Sequence, residues 1–251
     1  MSTGIWSAAS GAVGKTSALD VVADNVANVT TPGFRAETAV FRQTLANAVD
    51  KTRGTESMRY AITRTNVPQF TPGQIIESGK PLDAAIEEPN AFFVVSTAQG
   101  ERYTRAGSFR LTQDGTLSLP DGSPVLGENH KPLKIDATQP NIRIDNQGQL
   151  VAGDSITGDQ TLGKLLMVKF KDVNGLQKEG HVLLKASPQA GATTNYEGAV
   201  AGGCIEQSNS NAVQGMTQLV TLSREFEMIS KVIEAFSTID HKAATDIASS
   251  R

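Results

Sequence analysis

Apolar and small residues recur every three or four positions at both ends of this 251-residue chain, and the spacing changes in between. Near the start they fall at Ile5, Ala9, Ala12, Thr16, Leu19, Ala23 and Val26. Near the end they fall at Leu219, Leu222, Phe226, Ile229, Ile233 and Phe236, and Ile239, Ala243 and Ile247 continue after a slip in phase. Such heptad spacing puts each set on one helix face and predicts a packed seam. No Gly or Pro follows Met216, and Arg224, Glu225, Glu227, Lys231, Glu234 and Lys242 supply a polar face, so one long helix is expected over 212–248. The N-terminal seam is thin, because Ala9, Ala12, Thr16 and Ala23 remove little surface from water although they permit close approach. Each terminal helix therefore needs partners, and both are expected to gain order against neighbouring copies.

Between about Ala61 and Gln207 the pattern becomes short alternating runs punctuated by Gly, Pro, Asn and Asp, which is the signature of strands and turns. Strands are expected at Ala91–Thr97, 107–112, 116–119, 141–145, Gln149–Ala152 and 165–171. Turns are expected at Asp114–Gly115, Asp121–Gly122, Asn146 to Gly148 and Asn174–Gly175. The expected fold class is α+β, with N- and C-terminal helices forming a discontinuous coiled-coil-like domain and a central irregular antiparallel β domain. Three regions follow: 1–60 for the N-terminal helix and linker, 61–207 for the β-rich domain, and 208–251 for the long helix. Residues 39–49 are compatible with an extension of the N-terminal helical region and residues 52–57 are polar and linker-like, but no structure is assigned over 34–72.

Little in the chain points to catalysis. With 23 Lys plus Arg against 26 Asp plus Glu and no basic run, nothing suits a polyphosphate backbone, so no nucleic-acid partner is expected. Cys204 is the single cysteine, which excludes an internal disulfide and a cysteine metal cluster. No run approaches the roughly 20 apolar residues of a membrane-spanning helix, and the first residues lack a basic region followed by an apolar one, so no cleaved secretory signal is expected. Gly11 to Thr16 (GAVGKT) imitates a phosphate-binding loop, but Ala9 stands where its first glycine belongs and no strand precedes it. His130, His181 and His241 lie far apart and outside metal-ligand spacing, and Glu87 with Glu88 is an ordinary surface pair. Catalytic, cofactor-binding and metal sites are all expected to be absent.

One local motif is richer: Asn25, Val26, Ala27, Asn28, Val29, Thr30, Thr31, Pro32, Gly33, Phe34. Pro32 disfavours helix at Thr31, Pro then Gly suits a type II turn, and Asn28 tolerates the left-handed conformation of a helix end. Asn25 and Asn28 stand three apart on one helix face, where buried amides can set register. This decapeptide resembles the N-terminal signature of the flagellar rod, hook and hook-associated axial protein family. Further segments agree in order: Gly79 to Ala84, Phe92 to Val95, Tyr103 to Phe109, Asp114 with Gly115 and Leu117, Pro124 to Gly127, and Glu206 to Val213, where Ser208 and Asn209 lead into the long helix.

Within that family Asn211, Ala212 and Val213 are more similar to the proximal rod subunit of the F type than to the distal G type. Ser210 and residues 87–90 depart from the usual pattern. The resemblance implies a structural subunit without enzymatic activity. It also implies uncleaved export through the flagellar type III apparatus and homo- and hetero-oligomeric assembly with other rod and hook-basal-body proteins in the rod crossing the periplasm. The expected assembly residues are Ile5, Ala9, Ala12, Leu19, Val26, Leu219, Leu222, Phe226, Ile229, Ile233 and Phe236. A distal rod or hook subunit, and a periplasmic peptidoglycan-acting enzyme, are the rival readings.

Overall fold

The computed structural model describes residues 3–49, 56–135, 141–153 and 160–249. The fold is α+β, with a helix at each end and a central antiparallel β-rich region. Two compact units are present: Met1–Val26, Glu37–Val67 and Asn211–Arg251 make one, and Ala27–Ala36 with Pro68–Ser210 make the other.

The first unit contains α1 (Thr3–Ala27), the paired strands β1 (Glu37–Val49) and β2 (Glu56–Pro68), and α2 (Ala212–Ser249). The long helix ends one residue beyond the expected 212–248. Residues 39–49, for which the sequence left helix open, are strand. The small residues Ala39, Ala46 and Ala48 give a helix-like reading, but β1 also carries Thr38, Val40, Phe41, Thr44 and Val49, and its partner carries Ile62, Thr63, Thr65 and Val67. Pairing with such a strand overrides local propensity. Of the expected linker at 52–57, residues 52–55 lie outside the described residues, and Glu56 and Ser57 open β2.

The two helices run antiparallel. A Cβ placed on Gly11 would lie 3.9 Å from Ile229 Cδ1, one placed on Gly215 would lie 2.4 Å from Val26 Cγ2, and Lys15 pairs with Glu225 at 2.6 Å. Contacts thus descend α2 as they ascend α1. Gly215 is buried and lets Val26 approach closer than any side chain there would allow. Extended at equal rise, this register puts the first turn of α1 beside about residues 236–238, and α2 continues beyond it.

The second unit begins with β3 (Ile75–Glu77), β4 (Ala84–Ile86), β5 (Ala91–Thr97), β6 (Gly100–Thr104), β7 (Arg110–Leu111), β8 (Leu117–Ser118) and β9 (Arg143–Ile144). It continues with β10 (Gln149–Ala152), β11 (Gln160–Lys164), β12 (Met167–Phe170), β13 (Leu176–Glu179), β14 (Leu183–Ala186), β15 (Thr193–Asn195), β16 (Val200–Gly202) and β17 (Cys204–Glu206). The largest sheet has the order β13-β14-β6-β5-β12-β15 and is antiparallel throughout. Smaller sheets pair β11-β10-β9, β16-β4, β17-β3 and β7-β8.

The core lies on both faces of β5. Ala91, Phe93 and Val95 face one cluster with Phe109, Leu117, Leu119, Leu150 and Leu165, while Phe92 and Val94 face a second with Leu166, Phe170, Leu176 and Leu184. A strand covered on both sides reads as a continuous apolar run, which is why AFFVVST stood out. Edge-to-face rings lock each cluster, Phe93 on Phe109 at 5.1 Å and Phe92 on Phe170 at 5.8 Å. The bounds Ala91–Thr97 and Gln149–Ala152 are as expected. The strands expected at 107–112, 116–119 and 141–145 shrink to two residues each, because tight turns cut them short: Gly115 (φ 74°) closes back to Thr112 O at 3.0 Å, and Gly122 (φ 92°) to Leu119 O at 3.0 Å.

Candidate functional site

The helix pair carries the first candidate site. On α1 the seam residues Ile5, Ala9, Ala12, Leu19 and Val26 are half-buried, and Val21, outside the expected spacing, is the most buried apolar residue of the described helix. On α2 Leu219, Leu222, Ile229, Ile233 and Phe236 are half-buried and Phe226 is 36% exposed. Large apolar residues nevertheless stay in water on the rest of α2: Val213, Met216 and Val220 in its first turns, then Met228, Val232 and Ile239. Each set repeats at three and four residues, and exposed Ala235 completes the second; the eight-residue step from Val220 to Met228 breaks the phase, so they form two heptad-like patches that flank the seam. Thr217 and Thr221 extend the first set. Their hydroxyls donate to the carbonyls four residues back, at 2.9 and 3.0 Å, which leaves their methyl groups to meet whatever covers that face.

The decapeptide motif forms the turn at the foot of α1. Within the first unit, Asn25 Nδ2 donates to Glu37 O at 2.8 Å and Glu37 N donates to Asn25 Oδ1 at 2.9 Å. This reciprocal amide pairing holds the start of β1. Ala27 is the last helical residue and is exposed. Asn28 is buried, accepts Thr31 N on its carbonyl at 3.2 Å and lies 3.1 Å from Thr31 Oγ1 through its side chain, which tightens the turn before half-buried Pro32. Both amides are thus engaged inside the subunit. Asn25→Ala would leave the Glu37 N–H and carbonyl without these partners, an expected loss of about 1–2 kcal/mol in chemical denaturation of the full chain.

Within the β unit, the same turn threads a junction built from both ends of the chain. Phe34 is fully buried with Lys178 Nζ 4.1 Å from its ring centroid. Gly33 N donates to Glu206 O at 2.8 Å, and Ala36 N to Asn209 Oδ1 at 2.7 Å. Asn209 Nδ2 in turn donates to the carbonyls of Gln69 and Thr71 at 2.9 and 3.0 Å. Ser208 Oγ accepts Ser210 N at 3.1 Å. The two family motifs, 173 residues apart at Ala36 and Asn209, therefore meet.

Beneath them lies a triad that sequence reasoning missed: the Glu206 carboxylate holds Arg35 Nη2 and Arg105 Nε, each at 2.7 Å, with all three side chains 1–3% exposed. Burial, set against the nearby carboxylate, holds the Arg35 pKa below its ordinary value. Neither periodicity nor spacing announces such residues, and the one available signal was a charge embedded in otherwise apolar or glycine-rich motif segments. Among the described residues no cluster of His, Cys, Asp and Glu fits a metal ion, and no helix is long and apolar enough to cross a membrane.

A β unit whose described surface exposes almost no large apolar side chain, joined in one chain to a helix pair that exposes a row of them, defines a structural subunit made to be covered by others. Family models agree. Residues 6–35 match that of the flagella basal body rod protein, residues 85–152 that of the flagellar hook protein FlgE/F/G D1 domain, and residues 201–245 that of the flagellar basal body rod FlgEFG protein C-terminal region. Relatives include the flagellar basal-body rod protein FlgG of Agrobacterium fabrum, 31% identical with 94% of this chain and 95% of the relative covered. The FlgF proteins of Salmonella typhimurium (30%, covering 89% of each chain) and Caulobacter vibrioides (27%, covering 90% and 89%) match as well. The chain belongs to the flagellar basal-body rod protein family and is a structural subunit of the basal-body rod. That family consists of structural proteins, not enzymes, so the peptidoglycan-acting alternative falls.

Proposed function

We propose that the chain is a proximal rod subunit of the F type that polymerises through its terminal helices into the axial shaft. The observation that carries this reading is the pair of exposed apolar patches on α2, with Val213 76%, Met228 59% and Ile239 60% exposed. Side chains of that size repay burial by about 1.5–3 kcal/mol each, and heptad spacing suits a helix from another subunit as the cover. Seam residues Ile5, Ala9, Ala12, Leu19, Val26, Leu219, Leu222, Phe226, Ile229, Ile233 and Phe236 close one side of a coiled-coil-like layer, and the exposed apolar patches of α2 are covered by neighbouring subunits. Regions 1–60 and 208–251 supply this layer and 61–207 the β domain. Contacts of this head-to-tail kind do not close into a ring and so build a helical tube, in which both helices gain order as they are covered.

The F type rests on Asn211, Ala212 and Val213 after the Ser208–Asn209 motif, since relatives of both types match at similar identity. Export proceeds through the flagellar type III apparatus without cleavage, and the rod crosses the periplasm with homo- and hetero-oligomeric contacts to other rod proteins. A tagged chain located along purified hook-basal bodies is expected at the proximal rod. Label confined to the distal rod or the hook would overturn the F-type assignment.

A further inference from the structure

The buried triad of the β unit is not needed by the assembly reading, and it is unevenly built. Arg105 is held four ways: Nε donates to Glu206 Oε2 at 2.7 Å, Nη1 to the carbonyls of Glu88 and Ala91 at 2.8 and 2.7 Å, and Nη2 to that of Ile86 at 2.8 Å. Arg35 is held poorly. Its Nη1 donates to Thr71 O at 3.1 Å, its Nη2 lies 2.7 Å from Glu206 Oε1 without hydrogen-bond alignment, and its Nε has no hydrogen-bond partner among the described residues. Without Glu206, Arg105 retains three carbonyls, whereas Arg35 is left as a buried cation beside another cation. An unpaired charge in that position is far costlier than a poorly placed pair.

Glu206 is also the last residue of β17, paired across to Ile75, and its atoms bind backbone on two other stretches of chain: Gly73 N donates to Oε1 at 2.9 Å and Gly33 N to the main-chain carbonyl at 2.8 Å. One residue near the C-terminus thus neutralises the N-terminal turn and hydrogen-bonds both it and the 69–74 stretch.

We propose that Arg35, Glu206 and Arg105 form a closure latch: the turn at residues 31–36 docks on the β unit only once the C-terminal crossing has delivered Glu206, so that both ends of the chain dock together or not at all. While residues 203–209 are occupied elsewhere, or have not yet emerged from whatever passage the chain is threading, the N-terminal turn stays undocked although the sheet core is already formed. The latch is a property of the single chain and stands without the rod assignment.

Amide hydrogen exchange of the full chain tests it, comparing the parent with E206Q, which keeps shape and acceptor but removes charge, and with R35M/E206Q. In E206Q the amides of Gly33, Ala36 and Gly73 are expected to exchange on the order of 100-fold faster, while those of Val94, Leu126 and Leu166, which tie β5 to two neighbouring buried stretches of the core, keep parent rates. Adding R35M removes the stranded cation and is expected to return Gly33 and Ala36 to within about tenfold of the parent. Parent-like exchange in E206Q, loosening of the core together with the turn, or a double variant as open as E206Q would each overturn the latch. If E206Q does not fold, the double variant decides: folding with a protected turn supports the latch, and failure to fold refutes it.

Discussion

A chain carrying Met228→Asp together with Val232→Asp is expected to fold as the parent does and to vanish from the rod. Both side chains lie on the outward face of α2, 59% and 47% exposed, away from the seam that meets α1. In the free subunit the two aspartates replace apolar groups already in water, so helix content by circular dichroism and the thermal midpoint should hardly move. In the assembled shaft each substitution forfeits about 1.5–3 kcal/mol of burial and strands a carboxylate in a dry contact at a further cost of several kcal/mol. At 1.4 kcal/mol for each factor of ten, loss of incorporation on the order of 1,000-fold or more follows. Quantifying tagged chain in purified basal bodies, with swimming in soft agar alongside, checks this. Ile233→Asp is the informative contrast: it faces the seam and should lower helix stability in the free subunit as well as incorporation. Wild-type swimming by the Met228/Val232 variant, at normal expression, would refute this exposed patch as an assembly surface.

What makes that experiment discriminating is a distinction the sequence could not draw. Leu219, Leu222 and Ile229 share a heptad phase, and so do Met228, Val232 and Ile239. A helix apolar on two sides shows both phases, but periodicity does not say which one its own subunit covers. The Lys15–Glu225 pair and the close approaches of Gly11 to Ile229 and of Gly215 to Val26 settle it. The long helix was legible because the stretch after Met216, free of Gly and Pro and with 3.6-residue periodicity, admits few alternatives, and α1 because its three-and-four spacing runs on across Gly11 and Gly14. β5 was legible because AFFVVST is too short for a buried helix and too apolar for a surface. β1 was not, because its alanines are as compatible with helix as with strand and its pairing partner lies across residues with no local signal.

The β-unit junction shows a different limit. Thr31-Pro32-Gly33-Phe34 could be read as a turn from local rules, since Pro and Gly act on their own backbone. Arg35, Arg105 and Glu206 act on each other, and Arg105 and Glu206 are 101 positions apart. Charged residues are exposed by default, so only the fold reveals that these three are packed beneath the motif and that Asn209 ties it to the 69–74 stretch.

Gly33→Ala is expected to be the most damaging single-methyl change in the motif, and comparison with Gly79→Ala separates its two causes. Both glycines hold nearly the same left-handed conformation, with φ of +70° and +69°. A Cβ costs roughly 1–2 kcal/mol there whatever surrounds it. At Gly79 nothing lies within 4 Å of the added carbon, so that conformational cost is the whole effect. At Gly33 the carbon would sit 2.2 Å from Ala106 N and 2.4 Å from Arg105 C, both main-chain atoms of a buried stretch that cannot rotate aside. The turn must therefore lift away, taking with it the fully buried Phe34 ring and the Gly33 bond to Glu206 O. Burial of a phenylalanine side chain alone is worth about 1.5–3 kcal/mol, and the lost hydrogen bond adds about 1 kcal/mol. The expected destabilisation is about 3.5–6 kcal/mol for Gly33→Ala against about 1–2 kcal/mol for Gly79→Ala. Urea denaturation of the two variants and the parent measures both. Equal losses would mean that the turn is not seated against the Arg105–Ala106 backbone and that only its φ angle requires glycine.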